Sequence, residues 1–156
     1  MVGHGGANGA TILRRPSQGL LVYGGSSHVG VDPASFPAEG GCDCRAVRYR
    51  MLSAPLFVHC CHCRWCQRES GASFALNAMI EGDRVTELGQ PPEMVQTPSA
   101  SGSGQAIARC PTCRVAVWSN YAGAGPVVRF VRVGTLDDPD LLPPDIHIFT
   151  GSRQPW

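Results

Sequence analysis

Eight cysteines in three clusters restrict what this chain can fold into more than any other feature. They read Cys42-x-Cys44, Cys60-Cys61-x-Cys63-x-x-Cys66 and Cys110-x-x-Cys113. Side chains two residues apart on a strand share a face, so Cys42 and Cys44 can grip one ion together. A disulfide between them would be strained, because the ring is small and the side chains run parallel. Cys110-Pro111-Thr112-Cys113 has the spacing of a knuckle, a tight turn that aims two sulfurs at one point. The two pairs supply four sulfurs, a closed tetrahedral set typical of a structural zinc. Such a site forms together with the fold, and for a small β domain it is worth on the order of several kcal/mol.

Cys61, Cys63 and Cys66 remain, with Cys60 beside them. One short loop can present three sulfurs to an ion, and a fourth from so few residues is sterically hard. Three protein ligands with an open position is the pattern of a catalytic or ligand-exchanging zinc. The alternatives are a closed, inert site completed by Cys60, His59 or His62, and an iron–sulfur cluster, which normally requires a fourth nearby cysteine. A thioredoxin-like role for Cys63–Cys66 or Cys110–Cys113 fits poorly, since no βαβ pattern surrounds either pair.

The rest of the chain is β-like. Glycine (19) and proline (13) make up about a fifth of its 156 residues and favour turns and short strands. Strand-type runs are expected at Val47–Met51, Leu56–His59, Phe74–Ile80, Met94–Gln96, Ala106–Arg109, Val115–Trp118, Val127–Val133 and Ile146–Phe149. One short helix is expected at Arg64–Ser70. The expectation is a mainly β, single small zinc-containing domain of two packed antiparallel sheets over 37–156. Residues 1–36 read as a weakly structured N-terminal extension with one short strand at Leu20–Tyr23.

All 13 basic residues are arginine, against 12 acids, so no basic excess exists to hold a nucleic-acid backbone. No apolar run reaches the roughly 18 residues of a membrane helix. Arg14-Arg15 precedes an apolar stretch too short for an export signal, and a cytoplasmic location is expected. Thiols stay reduced there, which favours metal ligation over disulfides.

Cys-x-Cys, then Cys-His-Cys-x-x-Cys, then Cys-Pro-x-Cys resembles the glutathione-dependent formaldehyde-activating enzyme family. Gly41-Cys42-Asp43-Cys44 and Cys61-His62-Cys63-Arg64-Trp65-Cys66 carry the likeness, with Val133-Gly134-Thr135-Leu136-Asp137 and His147-Ile148-Phe149 behind them. The resemblance implies the all-β zinc fold also seen in methionine-R-sulfoxide reductases. It implies two zinc ions: a structural one on Cys42, Cys44, Cys110 and Cys113, and a catalytic one on Cys61, Cys63 and Cys66. The implied activity is a carbon–sulfur lyase or synthase adding glutathione, or a related thiol, to formaldehyde or a related aldehyde. The family usually has glycine after the second cysteine of each outer pair, where this chain has Arg45 and Arg114. Arginine resists a positive φ, so either the turn differs or each arginine accepts strain.

Zinc removes the proton of a bound thiol outright. Four thiolates around one zinc leave it a net charge of about −2, a weak Lewis acid that activates the sulfur far more than the aldehyde. Arg64 and Arg68 flank the triad and are candidate partners for the carboxylates of glutathione. By alternation His62 points away from the metal. His147, between Ile146 and Ile148, is expected to be a buried, hydrogen-bonded histidine. Trp65, Trp118 and Trp156 are expected in packing roles. Cys60 is either a spare thiol or an alternate for Cys61. The other functional class is a zinc-stabilised module that binds glutathione, a thiol peptide or a protein without turnover. The expected partners are a small-molecule thiol and aldehyde, with no nucleic acid and no membrane; a homodimer is compatible with the sequence.

Overall fold

The computed structural model describes residues 31–156 and the backbone of Thr11–Arg14 and Leu21–Gly24. The strands are β1 (Thr11–Arg14), β2 (Leu21–Gly24), β3 (Ala38–Gly41), β4 (Arg48–Met51), β5 (Phe57–Cys61), β6 (Ala75–Glu81), β7 (Val85–Glu87), β8 (Glu93–Thr97), β9 (Gln105–Arg109), β10 (Ala116–Tyr121), β11 (Val128–Arg132) and β12 (Ile146–Ile148). The helix α1 (Arg64–Ser70) is the one the sequence predicts. The short strand expected at Leu20–Tyr23 corresponds to β2; the rest of the N-terminal extension before residue 31, apart from β1, lies outside the described residues.

The fold is mainly β with two sheets, as expected. Nine strands form one sheet in the order β1-β2-β12-β5-β6-β11-β10-β9-β8, and β3-β4-β7 form the second. Among the described residues every ladder is antiparallel except β12 on β5, which is parallel. That exception follows from connectivity, because β12 returns to β5 from the far end of the chain instead of through a hairpin. Three strands have no counterpart in the sequence reading: β1, β3 and β7. The strand β3 reads Ala-Glu-Gly-Gly, a turn-like composition. A Cβ at Gly40 would stand 2.5 Å from the Thr135 carbonyl and the Tyr49 hydroxyl, so close backbone approach requires glycine there.

Register sorts the large sheet into two faces. Val58, Ala78, Val131, Trp118 and Ala108 stand opposite one another across β5, β6, β11, β10 and β9, and all are buried. This face carries the core together with residues of the small sheet; Tyr49 of β4 meets Trp118 edge-on at 5.9 Å between centroids. Burying side chains of this size stabilises by about 1.5–3 kcal/mol each. The other face carries Phe57, His59 and Cys61 of β5, at alternate positions of the pleat. It is covered at one end by α1, whose Glu69 is bridged to Arg109 and Arg132.

Candidate metal and active site

The four outer sulfurs come together from chain segments far apart in sequence. The Sγ atoms of Cys42, Cys44, Cys110 and Cys113 all lie within 4.8 Å of one another. Cys42 to Cys44 is 3.5 Å and Cys44 to Cys110 is 3.6 Å, far beyond a disulfide bond. Four sulfurs at about 2.3 Å around a tetrahedral zinc would stand about 3.8 Å apart, so the set fits such an ion. Backbone N–H groups already point at the sulfurs: Val47 donates to Cys42 at 3.3 Å and Thr112 to Cys110 at 3.4 Å. Arg45 and Arg114 both take up left-handed backbone, at φ 62° and 65°. The turn therefore keeps its shape, and the arginines accept the strain. Their guanidinium groups reach carboxylates: Arg45 pairs with Asp137 at 3.8 Å and Arg114 with Glu93.

The inner group is Cys61, Cys63 and Cys66, all buried and all within 4.8 Å. Cys61 closes β5. Cys63 is the N-cap of α1, its sulfur accepting the Cys66 N–H at 3.3 Å, and Cys66 sits in the first turn. Gly71, at φ 70°, ends this short helix in the left-handed cap that glycine favours. The hydrogen bond from Cys66 and the Cys63 backbone N–H, against burial, bring the Cys61 thiol down to about 6. Cys66, hydrogen-bonded to Cys61 and buried, is pushed up. No fourth donor joins this group among the described residues.

Cys60 points to the other side of β5. Its sulfur is 3.5 Å from His62 Nε2, which is 2.9 Å from His147 Nδ1. These three atoms could also hold an ion by proximity. The geometry instead describes a hydrogen bond. The two rings lie 17° from coplanar with centroids 5.2 Å apart, the separation reached when the two nitrogens point along one line at each other. The N–H of one ring and the lone pair of the other share that line and do not converge on a third point. Burial, then the charge of Cys61, pushes the Cys60 thiol up to about 11. His147 is half-buried rather than fully buried, because β12 sits nearer the end of the sheet.

The triad borders a cavity of about 410 Å³. Its walls include Phe57, Met79 and Phe130, which stand opposite one another across β5, β6 and β11. Ile146 and Ile148 line it from β12 and Trp65 from α1. No Asp, Glu, Lys or Arg lines it, so away from the three cysteine sulfurs the cavity recognises little beyond apolar bulk, apart from His59, Gln105 and hydroxyls. Gln105 Oε1 is buried with no partner among the described residues. Arg64 and Arg68 lie outside this lining; both are exposed on α1, and Arg64 donates to Gln67 Oε1 at 2.9 Å. Of the tryptophans, Trp118 is core, Trp65 lines the cavity, and Trp156 is 86% exposed rather than packed.

His59, weighed in the sequence as a ligand that would close the triad, does not join it and is instead the polar group beside it. It is 5% exposed, and burial followed by the charge of Arg132 brings it down to about 4, so the ring is neutral. Its Nε2 lies 3.0 Å from Asn77 Nδ2, and Asn77 Oδ1 accepts from Arg132 at 2.8 Å. The period of two along β5 is the signal that places His59 on the face of Cys61. Asn77 and Arg132 have no such signal, because cross-strand register is set by tertiary pairing.

A family model described as glutathione-dependent formaldehyde-activating enzyme matches residues 37–152. No curated protein matches the chain. Among solved structures, a Rhodobacter sphaeroides protein is similar at 19% identity and a TM-score of 0.48, over 64% of this chain and 87% of that one. No helix among the described residues is long and apolar enough to cross a membrane.

Proposed function

The chain belongs to the glutathione-dependent formaldehyde-activating enzyme family, and from that premise we propose that it adds a small thiol, glutathione or a relative, to formaldehyde or a related aldehyde. The observation that carries this reading is the triad. Three buried sulfurs converge at a cavity and leave a tetrahedral set one member short. We assign zinc to both sulfur groups, two ions per chain, the outer one structural and the inner one catalytic. Zinc in the inner group would supply the charge that keeps an incoming thiol deprotonated.

The chain's own residues do the rest. Cys63 and Cys66 are held by the first turn of α1 and Cys61 by β5, so a thiol that joins them meets one fixed direction of approach. Phe57, Met79 and Phe130 exclude water on the side where the aldehyde enters. Arg64 and Arg68, exposed on α1, would meet the carboxylates of glutathione outside the cavity. The sulfur–carbon bond forms as the carbonyl π bond opens, and the thiol's proton ends on the oxygen. The domain over 37–156 is the catalytic unit in this reading, and its unpaired cysteines suit a reducing, cytoplasmic setting.

Exchange NMR of glutathione with formaldehyde, with and without the zinc-loaded protein, tests the proposal. Faster exchange is expected, and it should vanish in Cys63→Ser. Glutathione binding without faster exchange would make the protein a thiol-binding module. No glutathione binding would move the reading to another thiol.

A further inference from the structure

Resting on that thiol–aldehyde reading, we propose that His59 is the electrophilic group of the site, its Nδ1–H donating a hydrogen bond to the aldehyde oxygen as the sulfur attacks. His59, Asn77 and Arg132 stand directly opposite one another across β5, β6 and β11. The order of their hydrogen bonds fixes the tautomer. A guanidinium only donates, so the atom of Asn77 that meets Arg132 Nη1 at 2.8 Å is the carbonyl Oδ1. The amide Nδ2 is then the atom facing His59 Nε2 at 3.0 Å, and it too only donates. Nε2 must therefore be the bare, accepting nitrogen, and the ring proton sits on Nδ1. A second proton on Nε2 would point at the amide N–H, so the arrangement opposes it.

Arg132 is itself held in place. Its Nη2 donates to Glu69 Oε2 at 3.1 Å and to Ser119 Oγ at 3.3 Å. The Phe57 and Phe130 rings flank the imidazole at 6.1 and 5.6 Å between centroids. Nδ1 has no hydrogen-bond partner among the described residues, and His59 lines the same cavity as Cys61, two residues further along the same face. A neutral, preorganised donor therefore faces the space beside the triad.

The chemistry needs a group of this kind. A centre with four thiolates polarises a carbonyl weakly, so the oxygen end depends on the protein. The sulfur lone pair forms the S–C bond, and the C=O π pair moves onto oxygen. The proton released by the thiol, delivered through solvent, completes the hydroxyl. His59 keeps its own proton throughout and stabilises the developing charge. Removing one such donor costs about 10²–10³-fold in kcat elsewhere. Asn77 acts through His59 and is a positioning residue.

Nitrogen-15 NMR of the zinc-loaded full chain, labelled at histidine, reads the tautomer directly. His59 is expected with Nδ1 protonated and Nε2 bare. In Asn77→Asp the carboxylate accepts from Nε2–H, so the tautomer should reverse. Both Asn77→Asp and His59→Phe should lower kcat about 10²-fold with KM for the thiol little changed. A wild-type His59 protonated at Nε2 would overturn the proposal. So would wild-type kcat in a folded, metal-loaded His59→Phe or, should that variant not fold, in Asn77→Asp with its tautomer reversed. Absence of acceleration by the wild-type protein removes the thiol–aldehyde reading and this role with it. Normal wild-type acceleration with unaffected variants removes this role alone.

Discussion

Arg45 and Arg114 hold positive φ at the two outer turns, a conformation that costs a non-glycine residue about 1–2 kcal/mol. Both are exposed, and the pair of Arg114 with Glu93 is a surface ion pair worth little. Arg114→Gly should therefore raise the unfolding free energy of the zinc-loaded protein, read from urea titration, by up to about 1 kcal/mol after the glycine entropy cost. Arg114→Ala keeps the strain and should show no gain. His59 adds a pH dependence of definite sign. Its folded value of about 4 lies below the ordinary histidine value of about 6.5, because burial opposes the charge. The unfolded chain binds the extra proton first, so stability is intact above about pH 6.5 and is lost progressively as pH falls toward 4. The loss attributable to this residue reaches roughly 3 kcal/mol. Comparing denaturation of wild type and His59→Phe across that window should show the steeper fall in wild type.

At the scale of elements, alternation along β5 is the organising fact. Val58 and Cys60 face one side; Phe57, His59 and Cys61 face the other. The helix α1 was legible in full, because its N-cap is a cysteine of the motif and its C-cap a glycine. The strand β3 was not, since Gly40 and Gly41 resemble a turn until Tyr49 and Thr135 are seen against them. Gly40→Ala would push a methyl group into the Thr135 carbonyl and the Tyr49 hydroxyl. It should cost about 2 kcal/mol or more in denaturant unfolding and loosen the Tyr49–Thr135 hydrogen bond of 2.8 Å.

Across the whole molecule the two proposed zinc ions give the two sulfur groups different work. The outer set joins the turn after β3 to the turn between β9 and β10, so its loss should unfold the domain. Cys110→Ser is expected to express poorly and lose both ions by native mass spectrometry. Cys63→Ser should stay folded, by far-ultraviolet circular dichroism, and lose one. Cysteine spacing alone determined the partition into a group of four and a group of three, because each short spacing brings its own sulfurs together locally, although Cys42 and Cys44 do so from a turn after β3 and not from the shared strand face that the sequence suggests. It also determined the β class, through short apolar runs cut by glycine and proline. The parallel seating of β12 on β5, the apolar cavity beside the triad, the separation of Cys60 from it and the row His59–Asn77–Arg132 were decided only by tertiary structure. Each depends on which residues stand opposite one another across strands distant in sequence, and a one-residue change of register would turn every one of those side chains to the other face.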